Sequence, residues 1–298
     1  IPGAVGRGGD AWRVYDTGQT HRDSWGWKVS AYLWTKSIAA GCLLMVPFIR
    51  GWTTPTHDRG LRLAVIAVSF LFLLLTGALL VGDLKRPERF LWVLTRPQWR
   101  SWLTRGSYIL LGFGAGVVAL GLAEWFLAAG LVTVLVPVTV VLAASAAVYT
   151  AFLFWQSKGR DLWQSPLLPL HLLVQAIVAG LSVTLLICSW GPPVSAQVFA
   201  GMAAWLQRAL VLNAGLILAE LYAAHPTRDA TAAARWARSA GRRGLLAGGV
   251  GLAGHAIPFV MLFSVHPVAA SAAALAVLAG LGCYEHLFVR AGQSVALS

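Results

Sequence analysis

Eight long apolar runs, broken only by isolated polar residues, take up most of the sequence, at roughly residues 29–49, 61–82, 105–127, 131–155, 167–189, 198–222, 244–264 and 268–289. A helix needs about 20 mostly apolar residues to cross the hydrocarbon core of a bilayer, and each run is about that long. The pattern predicts an all-α integral membrane protein, a bundle of about eight transmembrane helices. It divides the chain into a polar N-terminal segment (1–28), an eight-helix domain (29–290) and a short tail (291–298). The first segment contains Gly, Arg, Asp and Trp but no apolar core, so it does not read as a signal peptide. The chain opens on Ile1 rather than Met, so residues upstream of it are expected to be missing or removed.

Composition agrees with lipid as the solvent. The 298 residues are 58% hydrophobic and 11% charged, with mean hydropathy +0.70, where an average soluble domain is about 25% charged. A net charge of +12 could suggest nucleic acid, but the basic residues sit between the apolar runs. There they read as topology signals, which excludes a nucleic-acid partner as the reason for the charge. One side receives Arg7, Arg13, Arg22 and Lys28, then Lys85, Arg86, Arg89, Arg96, Arg100 and Arg105. It also receives Lys158, Arg160, Arg228, Arg235, Arg238, Arg242, Arg243 and Arg290, whereas the other side receives Arg50, Arg59 and Arg62. The positive-inside rule places the first side, with both termini, in the cytoplasm, and the protein in the cell (inner) membrane. Trp25, Trp27, Trp92, Trp99, Trp102, Trp155 and Trp163 gather on that same side, as an interfacial belt or as a docking surface for a partner.

Cys42, Cys188 and Cys283 are scattered through apolar runs, with no CxxC spacing to hold an iron–sulfur cluster or a structural zinc. A dihaem cytochrome needs four axial histidines on facing helices, and only His171 and His255 lie well inside runs. The expectation is a chain without metal, haem or cluster of its own. Gly112 and Gly116 in the third run, and Gly244, Gly248, Gly249, Gly251 and Gly254 in the seventh, are read as helix-packing positions.

The chemistry-bearing residues concentrate in residues 149–175, YTAFLFWQSKGRDLWQSPLLPLHLLVQ. One run ends in Tyr149, Trp155 and Gln156, a turn carries Lys158, Arg160 and Asp161, and the next run opens with His171 and Gln175 one turn apart on one face. A tyrosine, two amides, an imidazole and a charged turn are thereby expected to converge at one end of two antiparallel helices. Lys36, within the first run, costs about 3 kcal/mol or more at bilayer depth if unpaired. It either snorkels to the interface or partners a polar headgroup or carboxylate, with Tyr32 one turn away on the same face. Asp83 closes the second run. It either pairs with Lys85, Arg86 or Arg89, or serves as a proton acceptor at the membrane edge if burial raises its pKa. His171 suits hydrogen bonding to a quinone carbonyl and proton exchange. Glu124, Glu220 and Glu285 fall near run ends.

Several stretches resemble the NrfD/polysulfide-reductase type of membrane subunit: GDLKRPERFLWVLTRPQWRSWLTRG at 82–106, YLWTKSIAAG at 32–41, KGRDLWQSPLLPLHLLVQA at 158–176 and RAGQSVALS at 290–298. The resemblance extends over nearly the whole chain and is closest to the subunits found beside formate dehydrogenases. It implies an eight-helix membrane anchor without haem that exchanges electrons between a membrane quinone, menaquinone or ubiquinone, and a ferredoxin-like iron–sulfur subunit. That subunit is in turn wired to a molybdopterin catalytic subunit. By this resemblance Tyr149 matches the fourth-helix tyrosine of the quinone pocket, and Asp83 stands where an acidic residue is common. Val29 and Tyr32 stand where one branch of the family has Asn and His, a departure that brings Lys36 or His171 forward as replacements. The implied assignment is therefore Asp83 and His171 as catalytic proton carriers, and Tyr32, Lys36, Tyr149, His171 and Gln175 as quinone-binding. Arg86, Arg89, Trp92, Arg96, Trp99 and Arg100 would form the partner docking loop. Two other readings stand beside it: a proton or ion transporter using Lys36, Asp83, Glu220 and His255, and a purely structural anchor.

Overall fold

A computed structural model describes residues 25–52, 59–83, 90–157, 159–191, 194–264 and 266–295. Among these residues there is no strand. Ten α-helices form: α1 (Trp27–Trp52), α2 (Arg59–Asp83), α3 (Phe90–Thr95), α4 (Trp102–Trp125), α5 (Ala129–Trp155), α6 (Leu168–Trp190), α7 (Ala196–Tyr222), α8 (Arg228–Ala237), α9 (Ile257–Met261) and α10 (Pro267–Gly292). Eight spans are long and apolar enough to cross a membrane: α1, α2, α4, α5, α6, α7, residues 240–264 and α10. Each lies within a few residues of its apolar run.

α1 and α6 are the most enclosed, and α1 packs against α2, α5, α6 and α10. Between α1 and α6 the backbones touch. A Cβ on Gly41 would stand 1.9 Å from the Ala176 carbonyl oxygen, and one on Gly180 would stand 2.2 Å from that of Gly41. Lipid offers helices no hydrophobic drive to associate, so such close backbone approach supplies the dispersion contact instead. α2, α4, α5 and α7 present much of their surface outward, with Leu71, Val134, Val141 and Leu218 exposed as lipid-facing side chains are.

The seventh span departs from α geometry. Residues Gly244–Ala256 form a 13-residue π-helix before α9 begins, where π geometry is ordinarily a single-turn bulge. Gly254 meets Gly280 of α10, their added Cβ atoms falling 2.8 and 2.3 Å from the facing Cα. Gly249 also faces α10, at Cys283, while Gly244 and Gly248 face open space, so the glycine series is only partly a packing seam. In α4, Gly112 and Gly116 do receive α5, at Leu142 and Thr139.

The connection after α7 is basic, as expected, but it also folds. α8 buries Ala230, Ala233, Ala234 and Ala237, an i, i+3, i+4, i+7 stripe. Thr227 caps it by accepting from the Ala230 amide at 3.1 Å.

Candidate functional site

The charged turn after α5 is structural. Gln156 Oε1 accepts from the Trp102 amide at 2.7 Å and its Nε2 donates to the Arg100 carbonyl at 2.9 Å, which fastens the start of α4. Arg160 is buried and donates to the carbonyls of Gly292 and Val295 at 3.3 and 3.0 Å. Trp163 is also buried. It stacks on Trp25 at 4.8 Å between centroids and lies so close to Gly292 that an added Cβ would fall 2.0 Å from its Nε1. Trp163 therefore belongs to the interior, with the half-buried Trp25 packed on it, and the expected convergence of two amides and a charged turn on one site is corrected. Lys158 lies outside the described residues.

What remains at the basic side is a buried polar group inside the bundle. Lys36 is 1% exposed, which corrects the snorkelling alternative. Its Nζ turns inward to α5, donating to the Ala147 carbonyl at 2.8 Å and to Thr150 Oγ1 at 2.5 Å, and it lies 5.3 Å from the centroid of the Tyr149 ring. The Tyr149 ring in turn lies flat on α4 at Gly106, where a Cβ would fall 2.2 Å from its Cε2. Tyr32 is buried within electrostatic range of Tyr149, Asp83 and Glu285. Among the described residues, neither the Tyr32 nor the Tyr149 hydroxyl has a hydrogen-bond partner. Thr35 and Thr76 join α1 to α2 one turn away, through a 2.8 Å hydroxyl pair.

A second cluster continues from this one. His171 Nδ1 lies 2.7 Å from Glu220 Oε2, and the Tyr284 hydroxyl donates to the same oxygen at 2.5 Å. Glu285, next to Tyr284 on α10, is buried as well. His171 Nε2, Gln175 Oε1, Glu220 Oε1 and Glu285 Oε1 are buried without a partner among the described residues. Buried polar atoms are nearly always satisfied by protein, water or ligand, so these four atoms are open to a water or a ligand. His225, in the connection beyond α7, also has a buried Nε2 without a partner among the described residues. Burial, then the charge of Arg238, push its pKa down, while Glu220 draws it back up.

The other expected residues are placed as follows. Asp83 ends α2 exposed, which corrects the expectation that it is buried. Trp92, Arg96, Trp99 and Arg100 are exposed on α3 and the segment after it, whereas Arg86 and Arg89 lie outside the described residues. Glu220, which the sequence suggests only for a transporter, Glu285, left among run-end groups, and Tyr284, not weighed, are all buried in this cluster or next to it. Lone acids in an apolar run were the available signal. Among the described residues no cluster of three His, Cys, Asp or Glu side chains could hold a metal.

A family described as polysulphide reductase, NrfD, matches the chain over residues 16–296. No curated protein matches it significantly.

Proposed function

The chain belongs to the polysulphide reductase NrfD family, and from that premise we propose that this multi-pass membrane protein is the quinone-reactive anchor of a respiratory oxidoreductase complex. The observation that carries the reading is the pair of buried, unpartnered phenols, Tyr32 and Tyr149, beside the inward-facing Lys36. Quinone carbonyls only accept hydrogen bonds, and phenols and an ammonium donate them. The donor set therefore fits the headgroup of menaquinone or ubiquinone. When bound, the quinone supplies two-electron, two-proton redox chemistry at its carbonyl oxygens.

The chain's own residues position and protonate. Tyr32 and Tyr149 donate to the headgroup, and Gly106 lets the Tyr149 ring lie where it does. Lys36, held by Ala147 and Thr150, places its Nζ against the site. Glu220 with His171 and Tyr284, together with the buried Glu285, would carry protons toward His225 and the basic side. Asp83, at the exposed end of α2, would offer a second proton route. Gln175 and His171 contribute the unpartnered atoms along which water orders. Electrons pass to or from a ferredoxin-like iron–sulfur subunit docked on the basic side, joined to a molybdopterin subunit of the formate dehydrogenase type.

The reading is tested in the assembled complex with Tyr149→Phe and Lys36→Met. Each loses one positioned donor, and quinone-linked turnover is expected to fall about tenfold or more while the partner subunits still co-purify. Unchanged quinone kinetics in both variants would remove this pocket as the quinone site.

A further inference from the structure

Between α7 and the π-helical segment lies a cleft of about 900 Å³ that this chemistry does not use. Its walls are apolar, with Leu210, Ile217, Val250 and Phe259 among them, and its cationic groups, Arg238 and Arg243, gather beside Tyr222 at the basic-side end. Along α7 the lining runs from Leu210 to Tyr222, about 18 Å at 1.5 Å per residue. One leaflet supplies about 15 Å of a ~30 Å hydrocarbon core. The cleft is thus about as long as one leaflet is deep, and its charge sits where that leaflet's headgroups lie.

The polar groups say which end of a ligand is recognised. His255 also lines the cleft, but its Nδ1 lies 2.8 Å from the Val250 carbonyl and its Nε2 2.9 Å from Asn213 Nδ2. Nδ1 can only donate to a carbonyl, so Nε2 accepts from the amide, and the neutral ring has nothing left for a ligand. That disfavours a ligand with its polar atoms deep in the cleft, such as a quinone ring. At the mouth the situation is reversed. Arg238 lies over the Tyr222 ring, Cζ 4.6 Å from its centroid, with Nε donating to the Ala234 carbonyl at 3.3 Å. Its two terminal amino groups keep their donors, and Arg243 is exposed. Among the described residues neither arginine is paired with a carboxylate.

We propose that this cleft binds an anionic phospholipid of the basic-side leaflet, its phosphate held by Arg238 and Arg243 and one acyl chain laid along α7 and the π-helix. Guanidinium groups match phosphate in charge and in fork geometry. Ala247, Gly251 and Ala256 keep the π-helical wall low enough for a chain to lie on it.

The test uses the full chain, delipidated in mild detergent, with phosphatidylglycerol or phosphatidylcholine added. Native mass spectrometry reads retention and thermal unfolding reads stabilisation. Phosphatidylglycerol should be retained about tenfold better than phosphatidylcholine. Arg238→Gln with Arg243→Gln should abolish that preference, and Arg238→Lys with Arg243→Lys should largely keep it. Ala247→Trp, which fills the groove without altering charge, should weaken retention of both lipids. Equal retention of the two lipids by the unaltered chain, or a preference that survives the double glutamine variant, would overturn the proposal. So would glycerol 3-phosphate stabilising the chain as much as the lipid does, since the site would then take a soluble anion.

Discussion

Glu220 shows how one buried side chain can carry several others. A single oxygen accepts from Tyr284 at 2.5 Å and lies 2.7 Å from His171 Nδ1, all three groups being buried. Removing a shared partner strands what it held, and each stranded buried polar group costs about 1–3 kcal/mol. Glu220→Leu is therefore expected to destabilise the chain by about 3 kcal/mol, and Glu220→Gln, which keeps an acceptor oxygen, by distinctly less. Thermal unfolding of the two variants in one detergent checks this, and equal melting temperatures would show that the oxygen is not shared as described. Single acids in apolar runs are visible in a sequence, yet no spacing rule says that residues 171, 220 and 284 meet. Lys36 and Tyr149 were legible as candidates for the same reason, and their contact was not. Gln156 and Arg160 show the converse: polar residues that looked like chemistry are spent on backbone amides and carbonyls at helix ends.

At the level of elements, the site depends on a glycine. An alanine at position 106 is intrinsically better for α4 by about 1 kcal/mol, but its methyl would fall 2.2 Å from Tyr149 Cε2. The ring must shift, and with it the hydroxyl that faces the proposed quinone. Gly106→Ala should thus lower quinone-linked turnover several-fold with little loss of stability. Gly112→Ala, whose methyl would meet only Leu142 at an ordinary 3.5 Å, should leave turnover unchanged. Equal turnover in the two variants would detach the ring's position from activity. Eight spans were readable because length and hydropathy alone define them. The π-helix was not, since i, i+5 bonding leaves no compositional mark beyond many glycines and the following Pro258. α8 was hidden for a related reason: its alanine stripe is too weakly apolar to stand out in a basic connection.

At the scale of the whole molecule, the arginines around α3 and those that join α2 to α4 at the opposite face are used differently. On the face opposite the basic one, Arg62 pairs with both oxygens of Glu124 at 2.8 and 3.1 Å, and Arg59 donates to the carbonyls of Glu124 and Trp125. Those cations are spent on closing the α2–α4 end. On the basic face, Arg96, Trp99 and Arg100 stand exposed with Trp92 around α3, above the end of the bundle that holds Tyr32, Tyr149 and Lys36. Electrons cross protein only over short gaps, so the proposed iron–sulfur partner would belong on the face nearest the proposed quinone site, and that face also has charge to offer it. Exposed charges steer and orient association more than they deepen it, and salt screens them within about 10 Å at 0.1 M. Arg96→Glu with Arg100→Glu should therefore reduce co-purification of the iron–sulfur subunit, with a deficit that widens at low ionic strength, while the chain's own melting temperature stays put. Arg59→Glu should do the opposite, loosening the α2–α4 end without affecting partner recovery. If the iron–sulfur subunit instead survives the first change and is lost with the second, the partner sits on the other face, and electrons would have to cross the bundle to reach Tyr149.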